Sequence, residues 1–71
     1  MKKTLKNTLK VQRAIKNWTQ EELATRVGVT RKTINTIENG IFIPSTYLAL
    51  QLAKVFEVQV EVLFRIDDEG E

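Results

Sequence analysis

Apolar residues in this chain gather into short clusters, each with a marked start or stop. Leu5, Leu9 and the group Val11, Ala14 and Ile15 approximate helical spacing, which predicts a first helix over about Leu5 to Lys16. Every charge on it is positive. Asn17 follows, a residue that tolerates the left-handed conformation ending many helices. A second helix over about Gln20 to Val27 turns Leu23, Ala24 and Val27 to one side. Thr19-Gln20-Glu21-Glu22 is a capping box, in which threonine and glutamate side chains each satisfy a backbone N–H of the first turn. Glu21 and Glu22 also suit the positive end of the helix dipole. Gly28 supplies the left-handed residue that stops the helix.

The third cluster is sparse. Between Thr30, a good N-cap, and Gly40, a stop, only Ile34 and Ile37 are clearly apolar. Helical residues advance by about 100° each, so with Arg31 at zero Ile34 falls near ~300° and Ile37 near ~240°. The opposite side collects Lys32, Asn35, Thr36 and Asn39, with Arg31 and Glu38 on one flank and Thr33 on the other. A fourth helix is predicted over about Ser45 to Phe56, after Pro44. Leu48, Ala49, Leu52, Ala53, Val55 and Phe56 give it a wide apolar face. A short fifth turn over about Gln59 to Phe64 packs Val62, Leu63 and Phe64. Arg65 to Glu71 reads as an extended acidic end. The expected fold class is therefore all-α: five helices in a single domain over residues 1–71, with a core of about 5–64 and a tail of 65–71. Phe64 and Ile66 alternate in the manner of a short C-terminal strand.

Composition narrows the chemistry. A chain of 71 residues, 42% hydrophobic, builds one modest core. It has no Cys, hence no disulfide or thiolate site, and no His, the commonest general base and metal ligand. The nearest carboxylate pairs, Glu21-Glu22 and Asp67-Asp68, sit at a helix start and in an extended end, neither of which excludes water. No catalytic residue, metal site or cofactor is expected. The basic start MKKTLKNTLK is not followed by an apolar run, and nothing approaches the ~20 apolar residues of a membrane span. A cytoplasmic protein is the expectation. The net charge of +2 conceals an asymmetry: residues 1–56 carry ten Lys/Arg and three Asp/Glu, whereas residues 57–71 carry one Arg and six Asp/Glu. A basic body with an acidic tail suggests a polyanion on one side. Two solvated ends are the plainer alternative.

Two short helices joined by a tight turn at Gly28 form a helix-turn-helix. The third helix needs only Ile34 and Ile37 to set its angle, which leaves its outer face for a partner rich in donors and acceptors. The DNA major groove fits that description. Arg and Lys pair with guanine O6 and N7, Asn with adenine, and Thr with a thymine methyl or an acceptor. An ordinary polar surface helix is the alternative on this helix alone.

Thr19-Gln20-Glu21-Glu22-Leu23-Ala24, then Val27-Gly28-Val29-Thr30-Arg31, then Thr33-Ile34 and Ile37-Glu38-Asn39-Gly40, resemble the Cro/XRE class of phage-repressor-type helix-turn-helix proteins. Pro44-Ser45, Leu48-Ala49-Leu50 and Val62-Leu63-Phe64 continue the likeness over roughly Leu5 to Phe64. The resemblance implies a five-helix domain that binds operator DNA as a dimer, as a transcriptional regulator and most simply a repressor. It implies base-reading roles for Arg31, Lys32, Thr33, Asn35 and Thr36. Gln20, Thr30 and Asn39 would contact phosphates. Arg13 and Glu38 match a charged pair tying the first helix to the end of the recognition helix, although sequence alone reads both as solvated.

Two departures matter. The linker Gly40-Ile41-Phe42-Ile43-Pro44 has three apolar residues where the family often has a cation and polar residues. Either one or two of them plug the core while the backbone amides face phosphates, or they form an exposed patch that another chain covers. Gln12 stands where the family usually has an apolar residue. The candidate dimer surface is the fifth helix with the segment after it, Val62, Phe64 and Ile66, and two tails could pair as an intermolecular ribbon. The acidic tail could keep its end off DNA or serve solubility. The rival function is a protein-partner module, such as the antitoxin of a toxin–antitoxin pair or a bridging co-regulator, with Ile41, Phe42 and Ile43 as its site.

Overall fold

The computed structural model describes residues 2–69. Along the chain run β1 (Lys2–Asn7), α1 (Leu9–Lys16), α2 (Gln20–Val27), α3 (Arg31–Glu38), α4 (Thr46–Phe56), α5 (Val60–Leu63) and β2 (Phe64–Glu69). The five helices enclose one core of Leu9, Leu23, Ala24, Val27, Ile34, Ile37, Leu48, Leu52, Ala53, Phe56 and Leu63. β1 and β2 form an antiparallel two-stranded sheet in which Leu5 faces Ile66 and Asn7 faces Phe64.

The local signals explain the helices. Thr19 Oγ1 accepts from Glu22 N at 3.0 Å, and Glu22 Oε1 accepts from Thr19 N at 2.7 Å, so the capping box closes both ways. Gly28 ends α2 at φ +77°, a left-handed conformation that costs a residue with a Cβ about 1–2 kcal/mol. Val29 N then donates back to Ala24 O at 3.0 Å, which folds the turn tightly enough to pack α2 on α3. Asn17 ends α1 in the same conformation, at φ 61°. Ser45 caps α4 by accepting from Leu48 N at 3.1 Å.

The expectation of a first helix beginning near Leu5 is corrected. Residues 2–7 are a strand, and α1 starts at Leu9. Helical periodicity could not see the strand's partner, which lies about 60 residues away in sequence. Asn7 makes the corner: its Oδ1 accepts from Leu9 N at 3.1 Å, while its Nδ2 donates to Ile37 O at 3.0 Å. The second bond ties the ribbon to the end of α3. Val11 and Ile15, part of the spacing that predicts this helix, are exposed, and α1 buries only Leu9 fully. Val62, expected to pack in the fifth turn, is likewise exposed, and so is Leu50 on α4.

The partner of the C-terminal strand is the chain's own N-terminal segment, not a second tail. The charge asymmetry takes on a new meaning. Lys3 Nζ lies 3.9 Å from Asp68 Oδ1. The Asp67 carboxyl is held low, chiefly by its hydrogen bond from Arg65 and also by the charges of Arg65 and Lys6. The acidic end thus offsets a basic strand of the same molecule. Residues 70 and 71 of the predicted tail lie outside the described residues.

Candidate nucleic-acid interface

α3 is seated by two side chains. Ile34 and Ile37 are buried in the core as their spacing requires, and each is worth about 1.5–3 kcal/mol of burial. What fixes its outer half is polar. Arg13 on α1 donates from Nε to Glu38 Oε2 at 2.6 Å and from Nη2 to Glu38 Oε1 at 3.1 Å. Its Nη1 donates to Trp18 O at 2.9 Å. One guanidinium therefore joins α1, the α1–α2 turn and the end of α3. The side chains of Arg13 and Glu38 are only 15% and 6% exposed, so this is a largely dehydrated pair and not the solvated charges that sequence alone suggests.

The network continues outward from Glu38. Gln20, the first residue of α2, donates from Nε2 to Glu38 Oε1 at 2.9 Å and to Asn35 Oδ1 at 3.2 Å. Asn39 Nδ2 donates to Asn35 O at 3.0 Å and to Asn35 Oδ1 at 3.3 Å. Burial pushes the Glu38 carboxyl up, but hydrogen bonds from Arg13 and Gln20 and the charges of Arg13 and Lys10 outweigh it. The carboxyl ends below its ordinary value of 4.5. Arg13, hydrogen-bonded to Glu38, is held above its own ordinary value and stays charged. A carboxylate whose folded pKa is depressed stabilises the protein above the unfolded value and loses that contribution as pH falls through the folded one. The thermal midpoint should therefore decline as pH drops below about 4.5. The gap between wild type and Glu38→Gln should narrow over that window, which a series of melts from neutral to acid pH would read.

The predicted base-reading residues divide by what they have left to offer. Arg31 and Lys32 are exposed at the first turn of α3 and make no hydrogen bond or ion pair with any described residue. Thr30 Oγ1 accepts from Thr33 N at 3.3 Å as the N-cap and lies 3.2 Å from Thr33 Oγ1. Thr36 spends its hydroxyl hydrogen on Thr33 O at 2.9 Å, so it presents its methyl group and oxygen lone pairs. Asn35 is half-buried, with its oxygen engaged. Gln20 and Asn39, implied phosphate donors, have both amide hydrogens committed inside the protein. They hold the recognition surface and offer it no side-chain N–H. Gly28, α2 and α3 thus present one short face with two unpaired cations at its front and a braced polar row behind.

The helix-turn-helix family model matches residues 9–63. The chain belongs to this family, in its Cro/C1-type branch. Over 92% of its length this helix-turn-helix protein is 48% identical to an uncharacterised HTH-type transcriptional regulator of Methanocaldococcus jannaschii, covering 98% of that protein. Among solved structures, it is similar to a candidate DNA-binding protein from Bacteroides fragilis. The TM-score is 0.78 and the identity 26%, over 87% of this chain and 100% of that one. It is also similar to the restriction-modification controller protein C.AhdI from Aeromonas hydrophila. There the TM-score is 0.71 and the identity 28%, over 76% of this chain and 78% of that one. The protein is a DNA-binding transcriptional regulator of this family and not an enzyme. Among its described residues no helix is long and apolar enough to cross a membrane.

Several features of this helix-turn-helix protein escape sequence reasoning. The bond from Asn7 to Ile37 O braces the far end of α3, and nothing in the order KKTLKN signals it. Arg26 lies with its guanidinium carbon 4.2 Å from the centre of the Trp18 ring, which in turn packs on Phe56 at 5.4 Å. The linker also corrects an expectation. Ile41, Phe42 and Ile43 are 76%, 47% and 69% exposed, so none plugs the core. The amides of Ile41 and Phe42 donate to Thr36 O at 2.9 and 3.2 Å and are not free for phosphates. Of the candidate dimer residues, Phe64 packs against the core, whereas Val62 and Ile66 are exposed.

Proposed function

We propose that this regulator binds an operator as a homodimer and represses transcription from it in the cytoplasm, with α3 in the major groove. The observation that carries this reading is the unpaired Arg31 and Lys32 at the start of a helix whose orientation is clamped by Arg13, Glu38 and Gln20. The clamp presents the helix to DNA already oriented, and its free cations break no internal bond to reach it. Arg31, Lys32, Thr33, Asn35 and Thr36 face base edges. Thr30 stands beside the phosphates, with Gln20 acting through its backbone N–H at the start of α2. Asn39, whose own backbone N–H is bonded to Asn35 O at 3.1 Å, holds α3 in place and has no donor left for a phosphate. The dimer uses Val62 and Ile66, which leave an apolar surface beside α5 open to a second copy.

Selection of bound duplexes from a random pool tests the reading. The expected product is an inverted repeat whose half-site centres are about 34 Å apart, bound more weakly as salt rises. Enrichment of no sequence, or of a single unrepeated site bound by monomer, contradicts it. A second reading is favoured by one specific observation. Phe42, Ile43 and Pro44 line a cleft whose other wall is Leu5, Asn7 and Phe64, with Ile41 exposed beside it. An apolar patch of this kind suits a protein partner, as in an antitoxin that also binds its own operator.

A further inference from the structure

The hydrogen-bond network behind α3 has a direction, and the direction fixes what Asn35 can say to a base. An ionised carboxylate only accepts, so the Gln20 group 2.9 Å from Glu38 Oε1 has to be its NH2. The same NH2 lies 3.2 Å from Asn35, so Asn35 has to turn its oxygen toward it. Asn39 donates to that oxygen from the other side at 3.3 Å, and its own orientation is fixed by a 3.0 Å bond to a backbone carbonyl, which also only accepts. An amide oxygen has two lone pairs, and both are now used. No described residue accepts from Asn35 Nδ2. No buried side-chain nitrogen or oxygen lacks a partner either, so Nδ2 reaches the surface. Asn35 thus brings its NH2 group to the surface with no free acceptor beside it.

We propose that Asn35 is a donor-only reader that selects guanine, through its O6 and N7, and rejects adenine in the half-site. The inference rests on the operator-binding reading above. An unconstrained asparagine favours adenine, because it donates to N7 while accepting from the N6 amine. Here the accepting half of that pair is occupied by Gln20 and Asn39, and the N6 amine would meet an N–H. Guanine offers two acceptors at the same edge. Gln20 is on this account a positioning residue: it touches no base and sets which base Asn35 accepts.

The test uses the duplex selected by the wild-type protein, with each half-site position changed in turn to all four base pairs. Dissociation constants are then measured for wild type, Asn35→Ala, Asn35→Asp and Gln20→Ala. Wild type should prefer guanine to adenine by about tenfold at one position per half-site, the discrimination of one good base-edge contact. Asn35→Ala should bring that ratio near one at that position only. Asn35→Asp keeps an oxygen for Gln20 and Asn39 but turns an acceptor outward, and should trade guanine for cytosine, whose N4 amine donates. Gln20→Ala should shrink the guanine-to-adenine ratio by letting adenine gain, with preferences at other positions kept. A position governed by Asn35 where wild type prefers adenine overturns the inference. So does a Gln20→Ala ratio unchanged from wild type, or an Asn35→Ala protein that is folded by its melt and alters no position. A wild type with no preference anywhere refutes the operator reading itself.

Discussion

Glu38→Gln should melt about 12–24 °C below wild type, the shift expected when a domain of this size loses about 3 kcal/mol. The reason is geometric. Glu38 accepts three hydrogen bonds from two directions, two from Arg13 and one from Gln20. A glutamine in its place has one accepting oxygen, so its NH2 group has to face either the guanidinium or the Gln20 amide, donor against donor. Arg13 is then a poorly compensated charge at 15% exposure. Arg65 and Asp67 form an ion pair of similar length, 3.0 Å, on the exposed ribbon. Arg65→Ala should move the midpoint little, because solvent already screens that pair. Thermal melts of the two variants side by side check the contrast. A Glu38→Gln midpoint within a degree or two of wild type would mean that the Arg13–Glu38 pair holds nothing together.

The second large effect is on binding. Arg31→Ala and Lys32→Ala together should weaken operator affinity by about a hundredfold, since each base-edge contact contributes about 1–3 kcal/mol. The salt dependence should also flatten by about one charge for each cation that contacts phosphate rather than base. The melt should stay where it was, because neither side chain has a partner among the described residues. This separation of affinity from stability distinguishes contact residues from the Glu38 network, whose loss should lower both. Titration of labelled duplex at two salt concentrations measures it. Affinity retained within twofold would take these two cations off the DNA surface.

What the chain discloses about itself depends on the range of the interaction. The helix ends were legible because their signals are local: Thr19 and Glu22, Thr30, Ser45 and Gly28 act within four residues of where they stand. Ile34 and Ile37 were legible as the buried side of α3 by angle alone, and with them the outward face. β1 was not, because its Leu5 and Lys6 fit a helical reading until β2 is known to lie beside them. The acidic end looked like a separate feature for the same reason. In the site, residue types and face could be read, but what each group still has free to offer could not. Gln20, Asn35 and Asn39 are all amides on paper. Only their mutual distances show that Asn35 alone keeps its N–H groups for the outside. Arg13 and Glu38, 25 residues apart, could be paired in advance only through a resemblance.

The most direct test of the central claim, that the outer face of α3 is the DNA-reading surface, is an NMR titration of the full chain with its selected duplex. Backbone amides of Arg31, Lys32 and Thr36 and the side-chain amide of Asn35 should shift most. Those of Val11 and Ile15 on α1, and of Ile41 to Ile43 in the linker, should stay near their free positions. The largest shifts falling on the linker or the β1–β2 ribbon, with α3 unmoved, would contradict the account.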